Sequence, residues 1–318
     1  MTPTSSLRGI HASLITPFTA AGSVAVDALE ELAHAVLDGG ATGIVALGTT
    51  GEPATLDEGE RRTVIDVCAR VCGQRAATLI VGAGTNDTKG SVAALAELAA
   101  WPQVGAALVP VPYFTRPSEA GVLAHFSELA ANSPVPLIAY HIPYRTGQAL
   151  SMDALRTLAR TPGVAGIKYA TNGIDAEAIG LLGDLPPDFA FLAGDDLFVS
   201  PLLALGATGG ILASAQLLPE SFTELAAAWR TGQAQRARTL GHALARLSAA
   251  AFAGPNPTVI KGVLAAQGRI PTPDVRLPLL PARSDAVQTA MRWLADAAGR
   301  THPADQSSEN HPTPCVLR

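Results

Sequence analysis

Residues Val164–Ala170 read VAGIKYA, a short run of small and branched apolar residues that a single lysine interrupts. Similar runs recur along the chain, each rich in Val, Ile, Leu or Ala, as expected of parallel strands that are buried on both faces. The eight runs are His11–Phe18, Thr42–Gly48, Thr78–Gly84, Gly105–Pro112, Pro136–Pro143, Val164–Ala170, Phe189–Asp195 and Gly209–Ser214. This recurrence predicts eight buried strands.

Amphipathic stretches lie between the runs, and several begin with residues that cap a helix or place an acid in its first turn. The clearest are Val26–Asp38, Leu56–Val71, Thr88–Ala100 and Ser118–Asn132, with Asp27, Asp57, Glu58, Thr88, Ser118 and Glu119 at their starts. Eight strand–helix units in succession predict a closed (β/α)8 TIM barrel, an α/β fold. An open doubly wound sheet would carry nucleotide-binding glycines after its first strand, where this chain reads FTAAG at Phe18–Gly22.

The chain of 318 residues is predicted to contain a barrel and an added helical layer. The barrel covers residues 1–231. Apolar helical patterns follow it at Gln233–Ala253, Thr258–Ala266 and Ser284–Ala298, which predicts a C-terminal helical extension at residues 232–299 that packs on the barrel. Residues 300–318 are polar and contain proline, a pattern that predicts a disordered tail.

The composition excludes several classes of function. The net charge is −5 and no Lys/Arg run stands out, so neither nucleic acid nor an anionic membrane surface is an expected partner. No apolar run reaches the ~20 residues that span a bilayer. The three cysteines, an odd number in a long chain, argue against a disulfide framework, and no Cys or His completes a metal site with Cys68 and Cys72. We therefore expect a cytoplasmic enzyme.

Lys168 is the residue that points most clearly to chemistry. Barrel enzymes carry their active sites at the C-terminal ends of the strands, and a buried strand is an expensive place for an ammonium ion. One interpretation is a lysine that reaches solvent or pairs with an acid at the end of the strand. The other is a desolvated lysine with a depressed pKa, whose neutral amine attacks a ketone carbonyl and forms an iminium.

Other polar residues are predicted at the same rim of the barrel. Arg145 offers a fixed cation for a substrate carboxylate, and Tyr140 offers a proton donor and acceptor beside the lysine. Thr49 and Thr50, in a glycine-flanked turn, offer hydroxyls and backbone N–H groups to a carboxylate. Taken alone, Arg145 is also compatible with an exposed loop residue and Tyr140 with a packed strand residue. Their shared position favours a site.

Several motifs in register resemble the dihydrodipicolinate synthase / N-acetylneuraminate lyase family. The resemblance extends from about Ile10 to about Leu280. Its motifs are LITPF at Leu14–Phe18, GTTGE at Gly48–Glu52, YHIPYRTG at Tyr140–Gly147, GIK at Gly166–Lys168, GDD at Gly194–Asp196 and PNP at Pro255–Pro257. Members of this family are barrels that work on 2-oxo acids such as pyruvate.

The resemblance implies roles for the matching residues. Lys168 matches the Schiff-base lysine, Arg145 the arginine that binds the carboxylate of an aldehyde substrate, and Tyr140 the tyrosine that relays protons. The predicted site also includes Thr49 as a catalytic residue and Thr50, Gly51 and Leu212 as substrate-binding residues. The resemblance further implies a homotetramer built from tight dimers, without a metal or an organic cofactor.

Two departures from the family pattern bear on the substrate. Synthases of the family carry a second tyrosine that enters the neighbouring subunit's site, whereas this chain has Phe114 there, in PYFTRP at Pro112–Pro117. A phenyl ring neither donates nor accepts a proton. Tyr169 also follows the lysine where many synthases carry Glu. Both departures weaken the assignment to a synthase, while Arg145 and the GTTGE turn favour it.

Three functions follow from these residues. The first is a synthase that joins pyruvate, as an enamine on Lys168, to aspartate semialdehyde. The second is an aldolase or dehydratase that acts on a hydroxylated 2-oxo acid through the same iminium. The third is a non-catalytic barrel that binds a 2-oxo acid, which the retained lysine argues against.

Overall fold

Eight parallel strands close into a barrel in chain order in the computed structural model, which describes residues 7–301. Strand β1 pairs with both β2 and β8, which closes the sheet. The predicted (β/α)8 barrel is therefore confirmed. The strands are β1 (Gly9–Ser13), β2 (Gly43–Ala46), β3 (Thr78–Gly82), β4 (Val104–Pro110), β5 (Leu137–His141), β6 (Val164–Tyr169), β7 (Ala190–Ala193) and β8 (Gly209–Leu212).

Helices follow the strands and cover the outside of the barrel. They are α1 (Val26–Asp38), α2 (Glu58–Arg75), α3 (Thr88–Glu97), α4 (Glu119–Asn132), α5 (Pro143–Thr146), α6 (Met152–Ala159), α7 (Ala176–Leu182), α8 (Val199–Ala204) and α9 (Pro219–Arg230). Helix α1 has the predicted bounds, and α2 begins with a capping box between Asp57 and Glu60. The cap predicted at Thr88 is wrong, because the side chain of Asp87 accepts from the Gly90 N–H.

The first predicted strand is displaced along the chain. The apolar run was placed at His11–Phe18, whereas β1 occupies Gly9–Ser13 and the remainder leaves the sheet. Pro17 lacks a backbone N–H and cannot extend a ladder. The residues after β1 therefore form a loop at the C-terminal rim of the barrel, where Thr16 reaches the neighbouring turn.

Alternation along the strands separates two apolar cores. Val45, Ile80, Ile138 and Ile211 pack inside the barrel, while a larger core lies between strands and helices. In β6 the neighbours of Lys168 belong to that outer core, so the lysine points to the barrel axis. The register pairs Lys168 with Tyr140 of β5, which also packs inside.

Three helices form the C-terminal part of the described chain: α10 (Ala234–Ala251), α11 (Thr258–Ala266) and α12 (Ser284–Thr301). They match the three predicted patterns closely, and their buried apolar residues join the outer core. The predicted boundary near residue 231 falls in the short break between α9 and α10. Residues 302–318 of the predicted tail lie outside the described residues. Within residues 7–301, no helix combines the length and apolarity needed to cross a bilayer.

A buried histidine in β1 predicts acid sensitivity. Burial lowers the pKa of His11 to about 4, below the ordinary value of 6.5. Because the unfolded chain takes up this proton first, stability falls as the pH drops from about 6.5 towards 4, by at most about 3 kcal/mol. We expect urea unfolding of His11→Leu to show a weaker pH dependence over that window than the wild type. The exposed His242→Leu serves as the control, and an unchanged slope in His11→Leu would contradict the prediction.

Candidate active site

A small cavity opens at the C-terminal rim of the barrel. It is lined by residues from several strands and from the C-terminal helical part: Thr49, Thr50, Tyr140, Tyr144, Arg145, Lys168, Gly194, Asp196, Ile211, Ala213, Phe252 and Asn256. Five residues that the sequence placed at the rim are therefore together: Thr49, Thr50, Tyr140, Arg145 and Lys168. Because they come from three separate loops and strands, only the closed barrel brings them to one point.

Lys168 is buried in this cavity rather than extended to solvent. Its side chain passes Gly194, where an added Cβ would lie 2.9 Å from the Lys168 Cγ. Burial lowers its pKa to about 8, although Asp196 and Asp195 oppose that shift. Roughly one amine in ten is then neutral at pH 7, far more than for an ordinary lysine. The geometry therefore favours the second interpretation of this residue, a nucleophilic amine.

Tyr140 lies against the lysine. The Lys168 Nζ is 4.3 Å from the centre of the Tyr140 ring. Burial raises the pKa of the phenol, and a hydrogen bond with Thr49 opposes the rise. The phenol consequently remains protonated at neutral pH. It can donate a proton to a group bound to Lys168, and it can accept one from that group while its own proton passes to Thr49.

The residues Thr49–Glu52 are here called the threonine turn, and two of them, Thr49 and Thr50, form one side of the cavity. Thr49–Gly51 is a single 3-10 turn after β2. Two hydrogen bonds hold it from outside: the Thr16 hydroxyl donates to the Gly51 carbonyl at 2.8 Å, and the Asn256 amide donates to the Thr50 hydroxyl at 3.0 Å. The hydroxyls and N–H groups of the turn are thus fixed near Lys168 before a ligand binds.

Arg145 provides the cation at the mouth of the cavity. It lies exposed in the short helix α5, with its guanidinium 6.0 Å from the ring of Tyr144. The Tyr144 hydroxyl donates to Asp195 at 3.2 Å, and Asp195 also accepts the Asn172 N–H at 2.6 Å. The arrangement presents a planar cation to solvent beside the lysine, which suits capture of a carboxylate.

Asp196 is a buried acid that the sequence placed at the barrel rim after the seventh strand, in the GDD motif, without giving it a role. It accepts the Ser214 N–H at 2.5 Å, and burial raises the pKa of its carboxyl. Phe252 and Asn256 were not predicted as site residues, since no local pattern shows that the segment between α10 and α11 returns to the barrel rim. The PNP motif at Pro255–Pro257 was the one available indication for Asn256.

Two predicted substrate-binding residues lie elsewhere. The side chain of Leu212 packs in the outer core, while its neighbours Ile211 and Ala213 line the cavity. Side chains alternate along a strand, so the assignment was one residue out of step with β8. Gly51 does not line the cavity either, although its carbonyl holds Thr16. Both residues therefore support the walls of the cavity and do not contact the substrate directly.

Phe114 and Tyr113 lie on the surface of the single chain. The Phe114 side chain is 89% exposed, and its backbone adopts the left-handed region with φ 67°. The backbone N–H of Tyr113 donates to Asn86. Neither residue lines the cavity, so within one chain neither reaches Lys168.

Comparison with known proteins settles the family. A sequence model described as the dihydrodipicolinate synthetase family matches residues 6–297. The chain belongs to this family. The family resemblance predicted from the motifs is thereby confirmed, and the chain is an enzyme of the lyase class that the family comprises.

Relatives of this family member are similar over most of their length. A 4-hydroxy-tetrahydrodipicolinate synthase from Salinibacter ruber is 38% identical over 275 residues, 86% of this chain and 90% of the relative. One from Thermosynechococcus vestitus is 38% identical over 289 residues, 90% of this chain and 96% of the relative. A solved structure is described as the chloride-inhibited dihydrodipicolinate synthase from Acinetobacter baumannii complexed with pyruvate. It has a TM-score of 0.87 and 33% identity, covering 92% of this chain and 99% of its own.

Proposed function

We propose that this protein is a 4-hydroxy-tetrahydrodipicolinate synthase that condenses pyruvate with aspartate semialdehyde through a Schiff base on Lys168. The observation that carries the proposal is the buried amine of Lys168, with a pKa of about 8, beside the protonated phenol of Tyr140. The relatives are named for the product of this condensation, and one similar solved structure is described as complexed with pyruvate. Among the described residues that line the cavity, Lys168 is the one amine.

The first half of the reaction uses Lys168, Tyr140 and Thr49. The neutral amine adds to the ketone carbon of pyruvate, and Tyr140 donates a proton to the oxygen that leaves as water. The resulting iminium withdraws electrons, so the methyl carbon loses a proton to the Tyr140 phenolate that the first step left, and an enamine forms. Thr49 hydrogen-bonds Tyr140 and links its proton to the cavity, while Thr50 and the N–H groups of the turn hold the pyruvate carboxylate.

The second half requires the aldehyde to face the enamine. Arg145 binds the carboxylate of aspartate semialdehyde at the cavity mouth, which orients the aldehyde carbon towards the enamine. A carbon–carbon bond forms, the aldehyde oxygen takes a proton, and the iminium is restored. The amine of the semialdehyde then attacks the iminium carbon, closes the ring and releases Lys168.

Two further features belong to the proposal. We propose a homotetramer built from dimers, because Phe114 and Tyr113 stand exposed on the single chain in the loop that the family resemblance assigns to a subunit contact. Sedimentation equilibrium tests this mass directly.

We also propose a cytoplasmic location, since the two described cysteines, Cys68 and Cys72, are buried free thiols.

Borohydride trapping tests the covalent step. The chain has three lysines, Lys89, Lys168 and Lys261, so the modified peptide is readily assigned. We expect pyruvate with borohydride to add one reduced pyruvyl group to the peptide that carries Lys168. The same protein should then be assayed with aspartate semialdehyde and, for comparison, with hydroxylated 2-oxo acids as cleavage substrates. Trapping without condensation, together with cleavage of a sugar acid, would favour the aldolase alternative.

Phe114 distinguishes the synthase from that alternative. A lost proton-relay hydroxyl costs ~10²–10⁴ in rate, so Phe114→Tyr is expected to raise condensation with aspartate semialdehyde at least ~10-fold. The exposed position leaves room for the hydroxyl in the free chain. Tyr113→Phe provides the control for the neighbouring phenol. An unchanged or lower rate in Phe114→Tyr would mean that the site serves a different substrate.

A further inference from the structure

A buried ion pair joins the threonine turn to the C-terminal helical part. The Lys261 Nζ, in α11, lies 2.5 Å from the Glu52 Oε1, and both side chains are almost completely inaccessible to solvent. Lys261 also donates to the Asp274 carbonyl at 2.8 Å. The other oxygen of Glu52 accepts the backbone N–H of Arg276 at 3.0 Å. Neither side chain lines the cavity, so the pair has no direct contact with a substrate.

The pair acts on residues that do line the cavity. Glu52 ends the turn that carries Thr49 and Thr50, and its backbone lies in the left-handed region with φ 53°. A non-glycine residue in that region is strained and persists where its surroundings fix it. The buried carboxylate supplies such a fixed point, because moving it would separate it from the ammonium where both side chains are almost inaccessible to solvent.

Helix α11 contacts the threonine turn at two places. Asn256, just before the helix, donates to the Thr50 hydroxyl, and Lys261, one turn into the helix, binds Glu52. The turn is therefore held at Thr50 and at Glu52 by α11 and the residues just before it. The Phe18 ring also contacts Lys261 and Arg276. The Lys261 Nζ lies 3.9 Å and the Arg276 Cζ 4.4 Å from the centre of the ring. This packing ties the pair to the loop after β1.

We propose that Glu52 and Lys261 are positioning residues, which hold the threonine turn at the distance from Lys168 that pyruvate binding requires. This inference rests on the proposed function. Burial, with a smaller contribution from Arg276, lowers the pKa of Lys261 to about 8, and Glu52 opposes that shift. The lysine therefore still carries a proton at neutral pH and can pair with the acid. The barrel and the helical part are then joined at the site itself, and α11 contributes to substrate binding without touching the substrate.

The test measures iminium formation against pyruvate concentration in the full-length protein. In Lys261→Met, the half-saturating concentration of pyruvate should rise about 10- to 100-fold, since displacement by about 1 Å in such a site costs that much. The trapped amount at saturation should stay near that of the wild type, because Lys168 is intact. Arg236→Met, which breaks the ion pair with Glu224 outside the cavity, is the control for stability alone. Melting temperatures are recorded for every variant.

A merely structural pair gives a different result. Lys261→Met would then melt earlier, as Arg236→Met does, while its half-saturating pyruvate concentration stays unchanged, and the inference would be overturned. Should Lys261→Met fail to fold, Glu52→Gln replaces it, because a Lys261 left alone can lose its proton. In Glu52→Gln, a raised half-saturating concentration of pyruvate supports the inference, and an unchanged value overturns it. Failure of the wild type to trap pyruvate would overturn the proposed function, and this inference with it.

Charge balance is separated from positioning by the double variant Glu52→Gln/Lys261→Met. Removing both buried charges avoids an unpaired ion and should recover melting temperature relative to Lys261→Met. The link between α11 and the turn remains broken, so the raised half-saturating concentration should persist. Recovery of both properties would show that the pair only balances charge and would overturn the inference.

Discussion

Replacing Lys168 with alanine should abolish covalent trapping of pyruvate and lower turnover at least ~10⁴-fold, on the order of 5 kcal/mol or more. No other group in the cavity offers a neutral amine, since the other two lysines are the exposed Lys89 and the ion-paired Lys261. The fold should tolerate the change, because it removes a buried cation. Mass spectrometry after borohydride reduction and a single-turnover assay measure both effects.

Lys89→Ala is the matched control for this prediction. It removes an exposed lysine and should leave trapping and turnover unchanged. Trapping in the wild type should also rise with pH through about 8, because the amine must lose its proton before it attacks. Label on Lys89 or Lys261, or turnover that survives in Lys168→Ala, would mean that the covalent step is assigned to the wrong residue.

Replacing Arg145 with alanine should act chiefly on the second substrate. Loss of a bidentate pair between charged groups costs on the order of 2–5 kcal/mol, roughly 30- to several-thousand-fold in kcat/KM for aspartate semialdehyde. Arg145 lies at the mouth of the cavity, so pyruvate should still form its iminium on Lys168. Steady-state kinetics with each substrate varied in turn separate the two effects.

Arg145→Lys refines the same experiment. Lysine keeps the positive charge and loses the planar fork, so its KM for the semialdehyde should fall between those of the wild type and Arg145→Ala. If Arg145→Ala instead weakens iminium formation and leaves the semialdehyde KM intact, Arg145 serves pyruvate, and the second carboxylate binds elsewhere.

The fold was predictable because its elements carry local patterns. Parallel strands buried on both faces read as apolar runs, and α1 and α11 were bounded as the structure has them. The errors arose where tertiary placement overrides composition. Leu14–Phe18 is as apolar as a strand yet leaves the sheet, and the cap of α3 moved from Thr88 to Asp87.

Residues of the candidate site were predictable from the sequence where a charged residue interrupts an apolar stretch. Lys168 stood out as a charge in an apolar strand. Lys261, in the helix sequence TVIKGVLAA, shows the same conflict and was overlooked. The assignment of Leu212 to the cavity was wrong because side chains alternate along a strand, and the alternation does not show which set faces the inside of the barrel. Phe252 and Asn256 reach the cavity through the path of the C-terminal segment, which no local pattern encodes.

The threonine turn has a consequence for how the chain is made. Its supports come from both ends of the sequence: Thr16 lies just after the first strand, and Asn256, Lys261 and Arg276 lie more than 200 residues later. Strand β8 must also close on β1 across a similar separation. Contacts so distant in sequence form late and slowly. A nascent chain therefore has all eight strands before it has a working pocket, and the enzyme is inactive until the segment with Asn256, Lys261 and Arg276 has left the ribosome.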